Sequence, residues 1–171
     1  MQTKRLIKII SIIVAVGVAV IAFFKIIDYI SLRNISPYNY VMSTAYDPWK
    51  PQELLLQDES EVGIDLVFYR NQGNVYNCAL LRKNFWGGYE TIRYSGSLGI
   101  YQDDTYLYTG FSLGQNRYGI YWGILTDEEV TTVYLDKKEC QIRTTPYTEF
   151  RIFWLLESCE PDDVDPVLTK V

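Results

Sequence analysis

The sequence predicts a mainly β protein: an antiparallel sandwich or barrel-like outer domain of about nine strands, preceded by one N-terminal transmembrane helix. Three observations carry this. Residues 6–27 are almost wholly apolar. From Glu61 onward, apolar residues recur at every second position, the period of a strand with one buried face. Turn-forming clusters interrupt that pattern at about 8–12-residue spacing, as in sandwiches and barrels.

The N-terminal segment comes first. Residues 9–24 carry no charge. Extending the stretch to Leu6 and Ile27 admits only Lys8 and Lys25, whose stems can snorkel toward the two interfaces. The resulting 22 residues make a helix of about 33 Å, enough to cross a hydrocarbon core of about 30 Å. Its length and basic start argue against a buried core helix. A cleaved signal peptide needs small residues just after the apolar run. The late candidate, Val20-Ile21-Ala22, is followed by Phe23-Phe24 and more apolar sequence. No cysteine stands near the end of the run, which excludes a lipoprotein. A retained signal anchor is therefore preferred, with residues 1–5 as a short cytoplasmic tail.

Charge gives the orientation. The chain has 16 Lys+Arg and 21 Asp+Glu, for a net charge of −5. Residues 1–27 hold Lys4, Arg5, Lys8 and Lys25 and no acid, so the remaining 144 residues carry every acid. Basic flanks stay in the cytoplasm, which places the N-terminus inside the plasma membrane and residues 28–171 outside. The acidic balance argues against nucleic acid, whose binding requires a basic patch. The chain has no histidine. That removes Ser-His-Asp and Cys-His catalysis and His-ligated zinc, iron or haem, and no cofactor is expected.

Residues 28–60 read as a juxtamembrane linker. Ser36-Pro37, Asp47-Pro48 and Lys50-Pro51 keep it from forming one long helix, and residues 51–58 predict a short helix with Pro51 in its first turn. The β-rich domain spans residues 61–171. Val62, Ile64, Leu66 and Phe68 alternate with Gly63, Asp65, Val67 and Tyr69, predicting a half-buried strand. Asn71-Gln72-Gly73-Asn74 turns the chain into a return strand over 75–82. A loop at 84–88 leads to a third strand at 89–94. Asp103-Asp104 reads as a hairpin tip before a strand at 106–113. Tyr118, Ile120, Trp122 and Ile124 form one face of the next strand. Strands at 130–135 and 140–144 flank Asp136-Lys137-Lys138-Glu139 and read as another hairpin. Phe150, Ile152, Trp154 and Leu156 alternate in a late strand. An acidic loop then precedes a final short strand at 166–171.

The three cysteines, Cys78, Cys140 and Cys159, all lie outside the membrane in this reading. Pairing of the 140–144 strand with the late strand through a turn near Pro146 sets Cys140 opposite a residue near Phe153. Cys159 is then about 20 Å away at ~3.3 Å per residue, too far for a disulfide. A bridge from Cys78 to either of the others stays open. The preferred reading makes Cys78 and Cys140 small strand residues.

Three patterns suggest chemistry. Gly110-x-Ser112-x-Gly114 matches the nucleophile elbow of α/β-hydrolases, but that motif needs a helix after the turn and a histidine base. Here another strand follows, and neither a histidine nor an S-x-x-K motif is present. Glu160, Asp162, Asp163 and Asp165 crowd four carboxylates into six residues, a possible Ca²⁺ ligand set without EF-hand spacing, for which a solvated loop is the default. All 15 Tyr and 4 Trp follow the membrane segment. Aromatic rings on strands usually pack the core, yet on a rigid surface they stack on sugars or peptides. Trp86, in the Asn84-Phe-Trp-Gly-Gly88 loop, with neighbouring Tyr89, is the ligand-binding candidate.

Several stretches carry a resemblance. They are Ile64-Asp-Leu-Val-Phe-Tyr69, Ala79-Leu-Leu-Arg-Lys83 with Phe85-Trp-Gly-Gly-Tyr89, and Tyr121-Trp-Gly-Ile-Leu-Thr126 followed by Val130-Thr-Thr-Val-Tyr-Leu135. Together with the strand at 150–155 they cover roughly residues 52–156. In these the chain resembles a loose set of small signal-anchored, β-rich extracytoplasmic proteins of Gram-positive spore-forming bacteria. The set has no assigned activity, so the resemblance implies the anchor and the β architecture and no site residue. The expected function is a membrane-anchored, non-enzymatic binding module for an envelope protein or polysaccharide. The alternative is a cell-envelope hydrolase using paired carboxylates, the acid–base chemistry this composition leaves open.

Overall fold

A computed structural model describes residues 2–31, 33, 35–73, 75–85, 87–94, 98–99, 106–112, 119–146, 150–157 and 166–170. Helix α1 (Gln2–Ser31) contains one stretch, Ile10–Ser31, of 22 residues that is long and apolar enough to cross a membrane. None of that stretch is buried against the rest of the protein. The helix continues past Ile27, because the next residues include neither Pro nor Gly. The Ser31 hydroxyl donates back to the Asp28 carbonyl at 2.8 Å in its last turn.

A second helix, α2 (Pro37–Thr44), follows. The Ser36 hydroxyl caps it by accepting from the Asn39 N–H at 3.2 Å, and Pro37 occupies the first turn, where its missing N–H costs nothing. Residues 51–58 correct the sequence expectation. They form strand β1 (Pro51–Glu59), not a short helix. Leu54-Leu55-Leu56 is a good helix-forming run, but pairing with β2 satisfies its backbone and buries Leu55 completely.

The first sheet joins β1, β2 (Ile64–Asn71), β3 (Val75–Lys83) and β4 (Tyr89–Tyr94) in that order, and β5 (Leu98–Gly99) also pairs with β3. The remaining strands are β6 (Tyr106–Ser112), β7 (Gly119–Leu125), β8 (Val130–Leu135), β9 (Lys138–Glu139), β10 (Gln141–Thr144), β11 (Arg151–Glu157) and β12 (Val167–Lys170). A second sheet runs β10-β11-β7-β6 and a third runs β12-β8-β9. All pairings are antiparallel, and no sheet among the described residues closes into a barrel. Of the twelve described strands, ten are four residues or longer.

Three apolar clusters organise these elements. Leu66, Phe68, Cys78 and Leu80 of the first sheet meet Ile120, Trp122, Ile152 and Trp154 of the second. Phe68 and Trp122 lie 5.5 Å apart, and Tyr76 meets Phe150 edge-on at 5.2 Å. The opposite face of the second sheet, with Tyr121, Leu125 and Phe153, packs on Val130, Val133 and Leu135 of β8. The opposite face of the first sheet, with Val67, Tyr69, Ala79 and Leu81, packs on Val41 of α2. Strands β2 and β7 are thus buried on both faces, where alternation had predicted one.

The turn between β8 and β9 holds Asp136 and Lys137 at φ of 47° and 64°, the paired positive values of a two-residue hairpin turn. Beyond it the Cys140 N–H still donates to the Val133 carbonyl at 2.8 Å, and the chain then leaves β8 to pair as β10 with β11. There Gln141 stands opposite Trp154 and Ile142 opposite Phe153, within two residues of the expected register. Cys78 and Cys140 are buried and form no disulfide. Cys159 lies outside the described residues. Ser112 ends β6, and the next described element is strand β7 rather than the helix a nucleophile elbow requires.

Candidate functional site

Antiparallel register at one end of the first sheet assembles four polar side chains on its α2-covered face. Glu59 of β1 is the direct partner of Asp65 of β2. Asp65 pairs with Leu81, and Lys83, two residues further along β3, pairs with Tyr89 of β4. Period-two alternation puts Glu59, Asp65, Lys83 and Tyr89 on the same side. Directly opposed residues have Cα atoms about 4.5–5.5 Å apart, so the Glu59 and Asp65 carboxyls are neighbours.

Their environments differ. Asp65 is 4% exposed, and its Oδ2 has no hydrogen-bond partner among the described residues. Burial pushes its carboxyl above the ordinary range; Lys83 pulls it back, and the Glu59 charge pushes it further up. Glu59 is exposed and accepts from Lys83 Nζ at 3.5 Å. The charge of Asp65, then those of Glu59 and Tyr89, hold the Lys83 ammonium protonated beyond its usual range. Burial raises the Tyr89 hydroxyl, with the Asp65 charge next in weight. The Tyr89 ring lies 5.9 Å from Tyr40 of α2, so this residue belongs to the helix–sheet contact. The site thus sets a buried carboxyl, driven toward neutrality, beside an exposed one in contact with an ammonium.

Asp65 supplies a pH test. The folded carboxyl binds its proton more tightly than the unfolded one. The stability this confers is complete below the ordinary value of 3.8 and is lost as pH rises through the folded value. Asp65→Asn is expected to raise the melting temperature at pH 7 and to match the wild type below about pH 4. A variant less stable than wild type at pH 7 would show that Asp65 is ionised and well paired instead.

A cavity of about 290 Å³ opens beside this end of the sheet. The turn between β1 and β2 lines it with Glu59, Ser60, Glu61 and Val62, and Glu139, Gln141, Arg143 and Trp154 close the other side. Trp154 is 6% exposed, and its indole Nε1–H has no acceptor among the described residues. Arg143 is already committed: its Nε donates to Asp58 at 3.2 Å, joining the first sheet to the second. The lining therefore offers carboxylate acceptors and one buried donor. A second hollow of about 510 Å³ shares Glu139, Gln141 and Arg143 and reaches Cys140. Burial, followed by the charges of Glu157 and Glu139, pushes that thiol up to about 12, and burial pushes Cys78 well above its usual value. Both remain thiols at neutral pH, which removes them as nucleophiles.

Of the residues the sequence singled out, only Tyr89 falls within this arrangement. Trp86 and the carboxylates Glu160, Asp162, Asp163 and Asp165 lie outside the described residues. Among the described residues, no three His, Cys, Asp or Glu side chains are grouped to hold a metal ion. Sequence reasoning missed Glu59, Asp65 and Lys83. It read 51–58 as helix, and only a β1–β2 hairpin with its turn at 60–63 puts positions 59 and 65 opposite each other. No family model, no curated protein and no solved structure matches the chain.

Proposed function

We propose that the protein is a single-pass, membrane-anchored binding module. Its N-terminus is cytoplasmic, and its β-rich part is displayed on the outer face of the plasma membrane as a layered sandwich. The partner is an envelope protein or polysaccharide, bound without chemical conversion. The observation that carries this reading is α1: every large apolar side chain along Ile10–Ser31 is at least 39% exposed. Nothing else in the described chain is placed to cover that surface, and a bilayer would. The clustering of Lys4, Arg5 and Lys8 before the span supports the orientation. The cavity beside the β1–β2 turn supports a binding role, because exposed Glu61 and Glu139 and the buried Trp154 indole N–H, which has no acceptor among the described residues, all line it.

Protease added to intact protoplasts is expected to digest residues 28–171 and leave a membrane-bound fragment containing the helix. Protection of the β-rich part would overturn the orientation. Its recovery in the medium, starting near Phe23, would show that the helix is a cleaved signal.

A second reading, hydrolysis of envelope material by paired carboxylates, is favoured by the Asp65–Glu59 opposition. In it Asp65 donates a proton to the leaving oxygen, while Glu59 acts as base or nucleophile. The 4% exposure of Asp65 weighs against it, since the scissile bond must reach the acid. Turnover of purified envelope polysaccharide, abolished in Asp65→Asn, would favour the hydrolase over the module.

A further inference from the structure

The β1–β2 turn at 60–63 and the β3–β4 loop at 84–88 lie at the same end of the first sheet, since β1 and β3 finish there and β2 and β4 begin there. The chain arrives from α1 at that end. A methyl group built on Gly87 would stand 4.0 Å from Nε of Arg33, two residues beyond the end of the helix. From there α2 runs away along the sheet. Its Tyr40 meets Tyr89 at the near end. After the helix, the Pro48 carbonyl accepts from Asn71 Nδ2 at 2.8 Å, and Trp49 stacks on Tyr94, both at the far end.

The near end carries two apolar tips. Phe85 is 92% exposed, the highest value of any large apolar side chain among the described residues, and Val62 is 52% exposed. The loop holding Phe85 is tightly built. The Asn84 N–H donates to the Gly88 carbonyl at 2.9 Å, the Gly87 N–H to the Asn84 carbonyl at 3.1 Å, and the Gly88 N–H to Asn84 Oδ1 at 3.0 Å. Gly87 makes this possible with φ of 82°. An aromatic ring held outward beside the exit of an apolar helix suits the headgroup layer, where rings at membrane interfaces collect. Arg33 at the same end is exposed and can face lipid phosphates.

We propose that this end of the first sheet rests on the outer surface of the bilayer, with Phe85 and Val62 inserted among the lipid headgroups. The inference rests on the membrane-anchored reading of α1. It sets the β-rich part against the membrane rather than at the end of a free stalk, and it brings the cavity shared with the 60–63 turn close to the lipid surface.

The test uses the full chain, with Cys159→Ser, reconstituted in phosphatidylcholine–phosphatidylglycerol vesicles. Cys78 is fully buried and shielded from labelling, and Cys140, which borders the larger hollow, is checked by labelling the parent chain that carries no added cysteine. Nitroxide labels are placed at Phe85→Cys, Val62→Cys or Tyr46→Cys, all at exposed positions whose replacement spares the core. Tyr46 precedes the far-end contacts and reports on water. Collision with oxygen relative to a water-soluble nickel chelate is expected to be several-fold higher at 85 and 62 than at 46. Equal ratios at 85 and 46, in protein that floats with the vesicles, would overturn the proposal and leave the anchor standing. Protein that fails to float would overturn the anchor and this inference together.

Discussion

Trp122→Ala is expected to lower the free energy of unfolding by about 3–5 kcal/mol, the range for truncating a fully buried aromatic. Trp122 is 0% exposed and occupies the middle of β7, with β11 and β6 paired on either side. Its ring lies against Phe68 of the first sheet at 5.5 Å, so it holds the two largest sheets together. Removing it opens a cavity between two hydrogen-bonded layers that cannot collapse without breaking their ladders. Urea denaturation at constant m-value would measure the loss. Val62→Ala, at an exposed turn position, is the control and should stay within about 0.5 kcal/mol. A Trp122 variant as mild as that control would show that the first and second sheets are not packed through this residue.

Val41→Asp is expected to cost about 3 kcal/mol or more, because it places an unpaired carboxylate against an apolar face. Val41 is 0% exposed in α2 and packs with Val67, Tyr69, Ala79 and Leu81. The chain can escape the full penalty by undocking the helix, which exposes both central strands of the first sheet. Hydrogen exchange would separate these responses. Faster exchange confined to the α2 amides indicates undocking, and uniform loss of protection indicates global destabilisation. An unchanged exchange pattern would show that α2 contributes nothing to covering β2 and β3.

Glu59 and Asp65 show how far residue patterns reach into the candidate site. Asp65 sits at an alternating position that predicts a solvated carboxylate, and no local feature distinguishes it from any surface acid. It lies on the sheet face that α2 packs against, and α2 is placed by the capped turn at Ser36-Pro37 some thirty positions earlier in the chain. Its neighbour Glu59 is set by the β1–β2 hairpin, which the helix-forming Leu54-Leu55-Leu56 run conceals. The opposition of these two carboxyls is a product of register and covering, and both are non-local.

Local physics decided the rest. A continuous apolar run with basic residues at its start specifies α1, because a helix satisfies its own backbone wherever it lies. Period-two alternation specifies most of the strands, and the polar run Asp136-Lys137-Lys138-Glu139 specifies that the chain reverses after β8; the two-residue turn and the short β9 inside that run were decided by the folded chain. Only tertiary structure decided which strand faces receive a second cover. Alternation records a difference between two faces, and in β2 and β7 both faces are apolar enough to bury, so the difference is small. The choice of cover then falls to partners distant in sequence: α2 for β2, and β8 for β7. The same holds for β1, whose leucines are helical by propensity and become a strand because an edge of β2 is free to pair with them.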